Sequence, residues 1–203
     1  MNLSQWKIIK TSNKKLLDEF VIKQVPNSYY DKLKKFHYIN YRLPPVVTNT
    51  FGLFYHDSPV LYGIVVFSAP NLELKTRSQT VLGKILSRYD QSIKYSLLNK
   101  NCLVISRIVI HPSLRGIGAS PFLIENTWRK VAKRFVEITA TMLYYRNFLP
   151  KSYSYFLTYT SVISPNDFLD YKSKKGAMIH RSKSTLKKYG YALFINEKIK
   201  FKF

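Results

Sequence analysis

The residues of this 203-residue chain best suited to chemistry lie in one short run, Arg115-Gly116-Ile117-Gly118-Ala119-Ser120-Pro121. It follows an apolar segment, Cys102 to Ile110, and a His111-Pro112 pair. Two glycines allow a tight backbone turn and leave its N–H groups uncovered. Pro121 suits the first helical position, with Ser120 as the cap before it. Amides gathered at the positive end of a helix, equivalent to about half a unit charge, form an anion site. Arg115 adds a cation beside it. The run is not a Walker loop, because no Gly-Lys-Ser/Thr follows, and it lacks the third glycine of a dinucleotide fingerprint. An ordinary strand-to-helix turn is the competing reading of the two glycines. The order of apolar strand, glycine turn and capped helix favours phosphate.

Other reactive groups are scattered. His37 is a natural base near neutral pH and stands with Tyr38 just before the Pro44-Pro45 break; the alternative is a histidine that closes a short helix. Ser106 and Arg107 interrupt an otherwise apolar strand. A charge there must be paired or face a cavity, so Arg107 either holds a substrate phosphate or carboxylate or pairs with Glu137 on the neighbouring strand. His111-Pro112 shapes a turn. Cys102 is the sole cysteine, which excludes an internal disulfide and a cysteine-rich metal site. No cluster of histidines and carboxylates has metal-ligand spacing, so no metal is expected.

Charge narrows the partner. Lys and Arg number 33 against 11 Asp and Glu, a net charge of +22. Such self-repulsion costs stability, and a polyanion, nucleic acid first, is the usual reason for it. AT-rich coding, which favours Lys, Tyr, Ile and Asn, is the alternative explanation. Residues 138–203 carry 12 basic against 3 acidic residues, so 12 − 3 gives +9. There Arg146, Lys151 and Tyr153 combine cations with aromatics, the ingredients of a single-strand or flipped-base site, or else of a solvated face over a Tyr-rich strand.

The elements that must position these groups read as follows. Residues 6–10 suit a short strand, residues 13–23 a helix carrying Leu16, Leu17, Phe20 and Val21, and residues 28–36 a second short helix. Thr48 to Tyr55 and Val60 to Ser68 form a hairpin around His56-Asp57-Ser58-Pro59. Residues 71–101 are a basic helical insertion. Cys102 to Ile110 is the strongest strand. A helix from Pro121 to Phe135 and a strand from Val136 to Met142 complete a parallel crossover unit. Residues 153–163 alternate aromatics with Ser and Thr, residues 165–190 are basic and in part helical, and Tyr191 to Ile195 with Ile199 to Phe203 suggest a last hairpin. The whole predicts one α/β (α+β) domain over residues 1–203, a mixed central sheet flanked by helices. No signal peptide or membrane-length apolar run is visible, so a soluble, cytoplasmic protein with no membrane partner is expected.

The run Ile105-Ser106-Arg107-Ile108-Val109-Ile110-His111-Pro112-Ser113-Leu114-Arg115-Gly116-Ile117-Gly118 resembles motif A of the GNAT acyltransferase superfamily, with Ser120 where that motif carries a last Gly or Ala. Two subgroups look similar. The GNAT-like domain associated with ABC-type ATPases shares His37-Tyr38, the strand Gly63 to Pro70 and Ser106 to Gly118. The Mom-type phage DNA-modification proteins share the His-Tyr pair and Ser106-Arg107. The resemblance covers roughly residues 30–150. It implies a GNAT-like domain with an acetyl-CoA or other acyl or aminoacyl donor held by Ile108, Ile110, Arg115, Gly116, Ile117, Gly118, Ala119 and Ser120. It implies Tyr145 as proton donor and His37, Tyr38, Ser106 and Arg107 as further catalytic residues, and it makes the 71–101 insertion, with Arg77 and Arg88, one wall of a nucleic-acid groove. The reading is a transferase modifying a nucleic-acid base, Mom-like adenine modification in DNA, in the host cytoplasm if phage-encoded. The alternatives are an acyl-CoA-dependent N-acetyltransferase acting on RNA, protein or a small amine, and a non-catalytic nucleic-acid-binding partner.

Overall fold

The computed structural model describes residues 15–37, 42–140, 142–143, 148–150, 153, 155–161 and 187–203. Seven strands form one sheet: β1 (Phe20–Gln24), β2 (Val47–Tyr55), β3 (Leu61–Ser68), β4 (Cys102–Ile110), β5 (Phe135–Ala140), β6 (Tyr155–Ser161) and β7 (Lys187–Ile195). Their order is β1-β2-β3-β4-β5-β7-β6. Every neighbouring pair is antiparallel except β4–β5, which is parallel. Helices among the described residues include α1 (Tyr30–Leu33), α2 (Val81–Leu86), α3 (Gln91–Asn101) and α4 (Ala119–Glu125). The mixed sheet flanked by helices agrees with the fold class expected.

Both faces of the central strands are covered, which is why β3 and β4 read as near-continuous apolar runs. On one face Leu123, Ile124 and Trp128 pack onto Val65, Phe67, Ile105, Val136 and Phe194. On the other, Tyr30 and Leu33 of α1 cover Ile64, Val66 and Val109, while Leu82, Leu86, Leu97 and Leu98 of α2 and α3 cover Cys102, Phe135, Tyr191 and Leu193. The 71–101 insertion is therefore an integral layer of the core.

Three expectations need correction. Residues 13–23 do not form one helix: helical residues end at 18, and Phe20–Gln24 is a strand paired with β2. Phe20 is buried and Val21 is exposed, the period of a strand. The helix after the glycine run ends at Glu125 and not at Phe135. Asn126 Nδ2 donates to the Phe122 carbonyl and Thr127 Oγ1 to the Leu123 carbonyl, so these side chains take up the last turn's acceptors. Ile199 to Phe203 is not a strand. Its backbone docks instead on the Asn101 amide, whose Oδ1 accepts from the Lys202 N–H at 2.6 Å while Nδ2 donates to the Lys202 carbonyl at 2.7 Å. Residues 6–10 and most of 165–190 lie outside the described residues.

A buried polar knot ties the insertion to the sheet. Glu137 of β5, 1% exposed, accepts from Arg77 Nε at 2.7 Å, Arg77 Nη2 at 2.8 Å and Tyr191 Oη at 2.7 Å. Burial, then the Glu137 carboxylate, drive the Tyr191 phenol and the Cys102 thiol upward. Groups raised in the folded state lend stability that is whole below their unfolded values, about 8.5 for a thiol and about 10 for a phenol, and that drains away at higher pH. Chemical denaturation should therefore show stability steady up to about pH 8. Above about pH 10 the Tyr191 share should fall by about 1.4 kcal/mol per pH unit. Tyr191→Phe should lack that share; a wild-type and variant difference that does not change with pH would contradict the assignment.

Candidate active site

The glycine run sits where β4 hands over to α4. After a short 3-10 turn, Pro112–Leu114, the chain is extended at Arg115 (φ −72, ψ 144) and enters the left-handed region at Gly116 (φ 84) and Gly118 (φ 93). Gly118 is the residue before α4, which starts at Ala119 and not at Pro121; the expected Ser120 cap is already inside the helix. Ala119 is 1% exposed, so burying its methyl sets the helix start. Pro121 falls in the first turn, where a missing N–H costs nothing. The N–H groups of Gly116, Ile117, Gly118, Ala119 and Ser120 reach no acceptor at hydrogen-bonding geometry among the described residues. Successive N–H groups at a turn that leads into a helix can serve as an anion site.

The sheet opens below this loop. The β4–β5 ladder runs from Cys102–Phe135 to Ile105–Ile138 and stops. β4 continues beside β3 as far as Ile110–Gly63, and β5 continues beside β7 as far as Ala140–Gly190. The two strands thus part company, and among the described residues the β4–β5 pairing ends at Ile105–Ile138. The parting coincides with a bulge at Ser106: Phe67 pairs with Ile105 and Val66 with Arg107, so Ser106 is the extra residue. The bulge resets the alternation. Ile105, Ile108 and Ile110 all pack toward the α4 core, while Val109 joins the α1 side.

The other predicted residues divide. Ile108, Ile110, Ile117 and Ser120 are half-buried around the loop. Ser106 Oγ donates to the Val66 carbonyl at 3.1 Å, which steadies the bulge. Arg107 does not pair with Glu137; its Nη1 donates to the Ser106 carbonyl at 2.6 Å and its Nη2 to the Arg42 carbonyl at 2.9 Å. Arg115 is exposed, with Nε on the Ile110 carbonyl at 3.1 Å and Nη2 on the Phe36 carbonyl at 2.7 Å. That bond, with Phe36 edge-on to His111 at 4.8 Å, brings the end of the α1 segment, including His37, to the glycine loop. The His37 N–H donates to the Lys34 carbonyl, closing the short helix. Tyr38, Tyr145, Arg146 and Lys151 lie outside the described residues.

The nucleic-acid residues fare unequally. Arg88 is exposed, just beyond α2. Tyr153 is half-buried and set edge-on to Phe194 in the core. Arg77 is 3% exposed and fully engaged with Glu137 and the Asn71 and Leu72 carbonyls, so the expected phosphate contact is corrected: it is a core ion pair. Its partner lies 60 residues away, a pairing that charge and local spacing do not announce. Sequence reasoning also passed over the parting of β4 from β5 and the role of Arg115 as a tie to Phe36. The departure from strict alternation at Ser106-Arg107 was the available signal for the first. Among the described residues, no group of His, Cys, Asp and Glu could hold a metal ion, and no helix is long and apolar enough to cross a membrane.

The chain matches no protein-family model and no curated protein. Among solved structures it is similar to an agmatine N-acetyltransferase variant in its apo form, at 12% identity and TM-score 0.47, covering 87% of this chain and 100% of that one. It is similar to a GNAT family acetyltransferase from Elizabethkingia anophelis with acetyl-CoA bound, at 8% identity and TM-score 0.44, covering 88% and 99%. A third is NAA60 from Arabidopsis thaliana in complex with acetyl-CoA, at 11% identity and TM-score 0.45, covering 87% and 99%.

Proposed function

We propose that the chain is a GNAT-type transferase that holds the phosphates of an acyl-CoA donor, or of a related acyl or aminoacyl donor, on Gly116–Ser120 and delivers its acyl group to an amine of a nucleic-acid base. One observation carries this reading: the five successive N–H groups of Gly116–Ser120 reach no acceptor among the described residues, at the start of the helix that follows β4. Such N–H groups suit a pyrophosphate. The parting of β4 from β5 after Ile105–Ile138 suits an extended, amide-bearing arm, which can add to a strand as another strand would. The donor supplies the activated acyl group. The chain supplies orientation, which alone can be worth about 7–11 kcal/mol.

The amine must lose a proton as it attacks, and His37, the residue after the Phe36 whose carbonyl accepts from Arg115, is a candidate base. The excess of cations supports a nucleic-acid substrate, with DNA adenine the sharpest version. Nucleoside mass spectrometry on DNA and RNA from expressing cells tests the reading. A modified base that disappears with the Gly118→Val variant is the expected result. Unmodified nucleosides beside newly acylated proteins or small amines would move the chain to the other acceptor class.

A further inference from the structure

The end of the sheet opposite the glycine loop has its own chemistry. Cys102, Phe135 and Ile195 lie in one row across β4, β5 and β7. Lys100, Lys133 and Arg134 precede the first two, and Lys198, Lys200 and Lys202 follow the third. The nine residues of β4 separate this end from the loop by roughly 25–30 Å at about 3.3 Å per residue.

A groove of about 400 Å³ opens here, lined by the apolar Val81, Ile85, Phe135, Ile195 and Phe201 and by the charged Arg134, Glu197 and Lys200. The alternation Lys198-Ile199-Lys200-Phe201-Lys202-Phe203 turns the lysines to solvent while Ile199 and Phe201 are half-buried. Phe201 lies 6.1 Å from Phe135 and 5.3 Å from Phe203, ring centre to ring centre, and Phe203 is 78% exposed. Glu197 is the sole acid among residues 187–203, while Lys100, Lys133 and Arg134 donate to backbone carbonyls. Burial and then the charge of Lys202 pull Lys133 down.

We propose that this groove binds single-stranded nucleic acid, with an unpaired base against Phe201 and the flanking phosphates on Lys200 and the neighbouring Lys198 and Lys202. An aromatic lining beside cationic side chains suits that ligand, because every base has a face to stack and every step carries one negative charge. A duplex offers no free base face, and an acidic peptide offers charge without rings. The proposal rests on the nucleic-acid reading above for its ligand class, and it uses none of the residues assigned to transfer.

The test is fluorescence anisotropy of the full chain with a short oligothymidylate and with an abasic strand of equal length. Binding of the normal strand should be about fivefold to a hundredfold tighter than that of the abasic strand, the worth of one stacked base. Phe201→Leu, which keeps the apolar filling, should erase this difference. Lys200→Glu with Lys202→Glu should lower the slope of log affinity against log salt by about 1.4, two phosphate contacts' worth. Equal affinity for both strands in the wild type, or a Phe201→Leu variant that still discriminates, would overturn the groove. So would a preference for duplex or for an acidic peptide. Base modification that persists in Phe201→Leu together with unchanged strand discrimination rejects the groove and leaves the transfer reading standing. Discrimination with no modified base rejects the nucleic-acid base as acceptor and leaves the groove.

Discussion

Gly118→Val should weaken acetyl-CoA binding at least a hundredfold (on the order of 3 kcal/mol) while leaving a folded protein. The argument is conformational. A Cβ at Gly118 would meet only Leu17 Cδ1, at 3.9 Å, so space is not the obstacle. The backbone is: φ is 93, where an L-residue pays about 1–2 kcal/mol and a β-branched one more. The chain relieves that strain by rotating the peptide planes on either side, which turns the N–H groups of Gly118 and Ala119 away from a common centre. Each charge-assisted bond to phosphate is worth about 1.5–3 kcal/mol, so losing two gives the stated factor. Gly118→Asn is the control, because asparagine tolerates the left-handed region and should keep most of the affinity. Calorimetric titration separates the outcomes. Equal binding by the wild type and the valine variant would remove the loop from the donor site.

How much of this was legible depends on what each feature rests on. Strands whose two faces are buried announce themselves as apolar runs, so the span of β4 coincides with the reading and β2 and β3 differ from it by one residue at the start. The glycine loop was legible because strand, turn and helix follow one another locally. The segment Ser106-Arg107 stood out as a breach of alternation, and the bulge explains it: an extra residue shifts the apolar positions from 105 to 108 and 110. What stayed hidden was non-local. β1 is a strand because β2 offers it an edge, and its own residues fit a helix equally well. The terminal segment alternates like a strand, yet one side-chain amide, Asn101, takes the place of a partner strand. Arg77 looked like a surface cation in a polar insertion because its carboxylate stands on a strand that folds back much later.

Arg77→Met should cost about 3–5 kcal/mol of stability, the price of stranding the Glu137 carboxylate in the core. Burial works against the Arg77 charge, and the Glu137 carboxylate more than restores it, so the guanidinium stays ionised and its pKa is raised. With the arginine gone, the Tyr191 Oη bond at 2.7 Å does not replace the two charged bonds that the carboxylate loses. The Asn71 and Leu72 carbonyls lose their donors as well. For a chain of this length the loss corresponds to a fall in melting temperature of about 6–20 °C. Glu137→Leu alone should be as harmful, since it strands the cation. The double variant Arg77→Met/Glu137→Leu should recover most of the loss, because an apolar pair of similar volume needs no desolvation. Denaturant unfolding of the three variants closes the cycle. A single variant within about 1 kcal/mol of the wild type would mean that water enters this layer, and α2 and α3 would then be a loose cover and not part of the core. Glu137 is also the residue before Ile138, where β5 leaves β4. A stable double variant that has lost acetyl-CoA affinity would therefore show that the ion pair serves to hold β5 in place at the opening of the sheet.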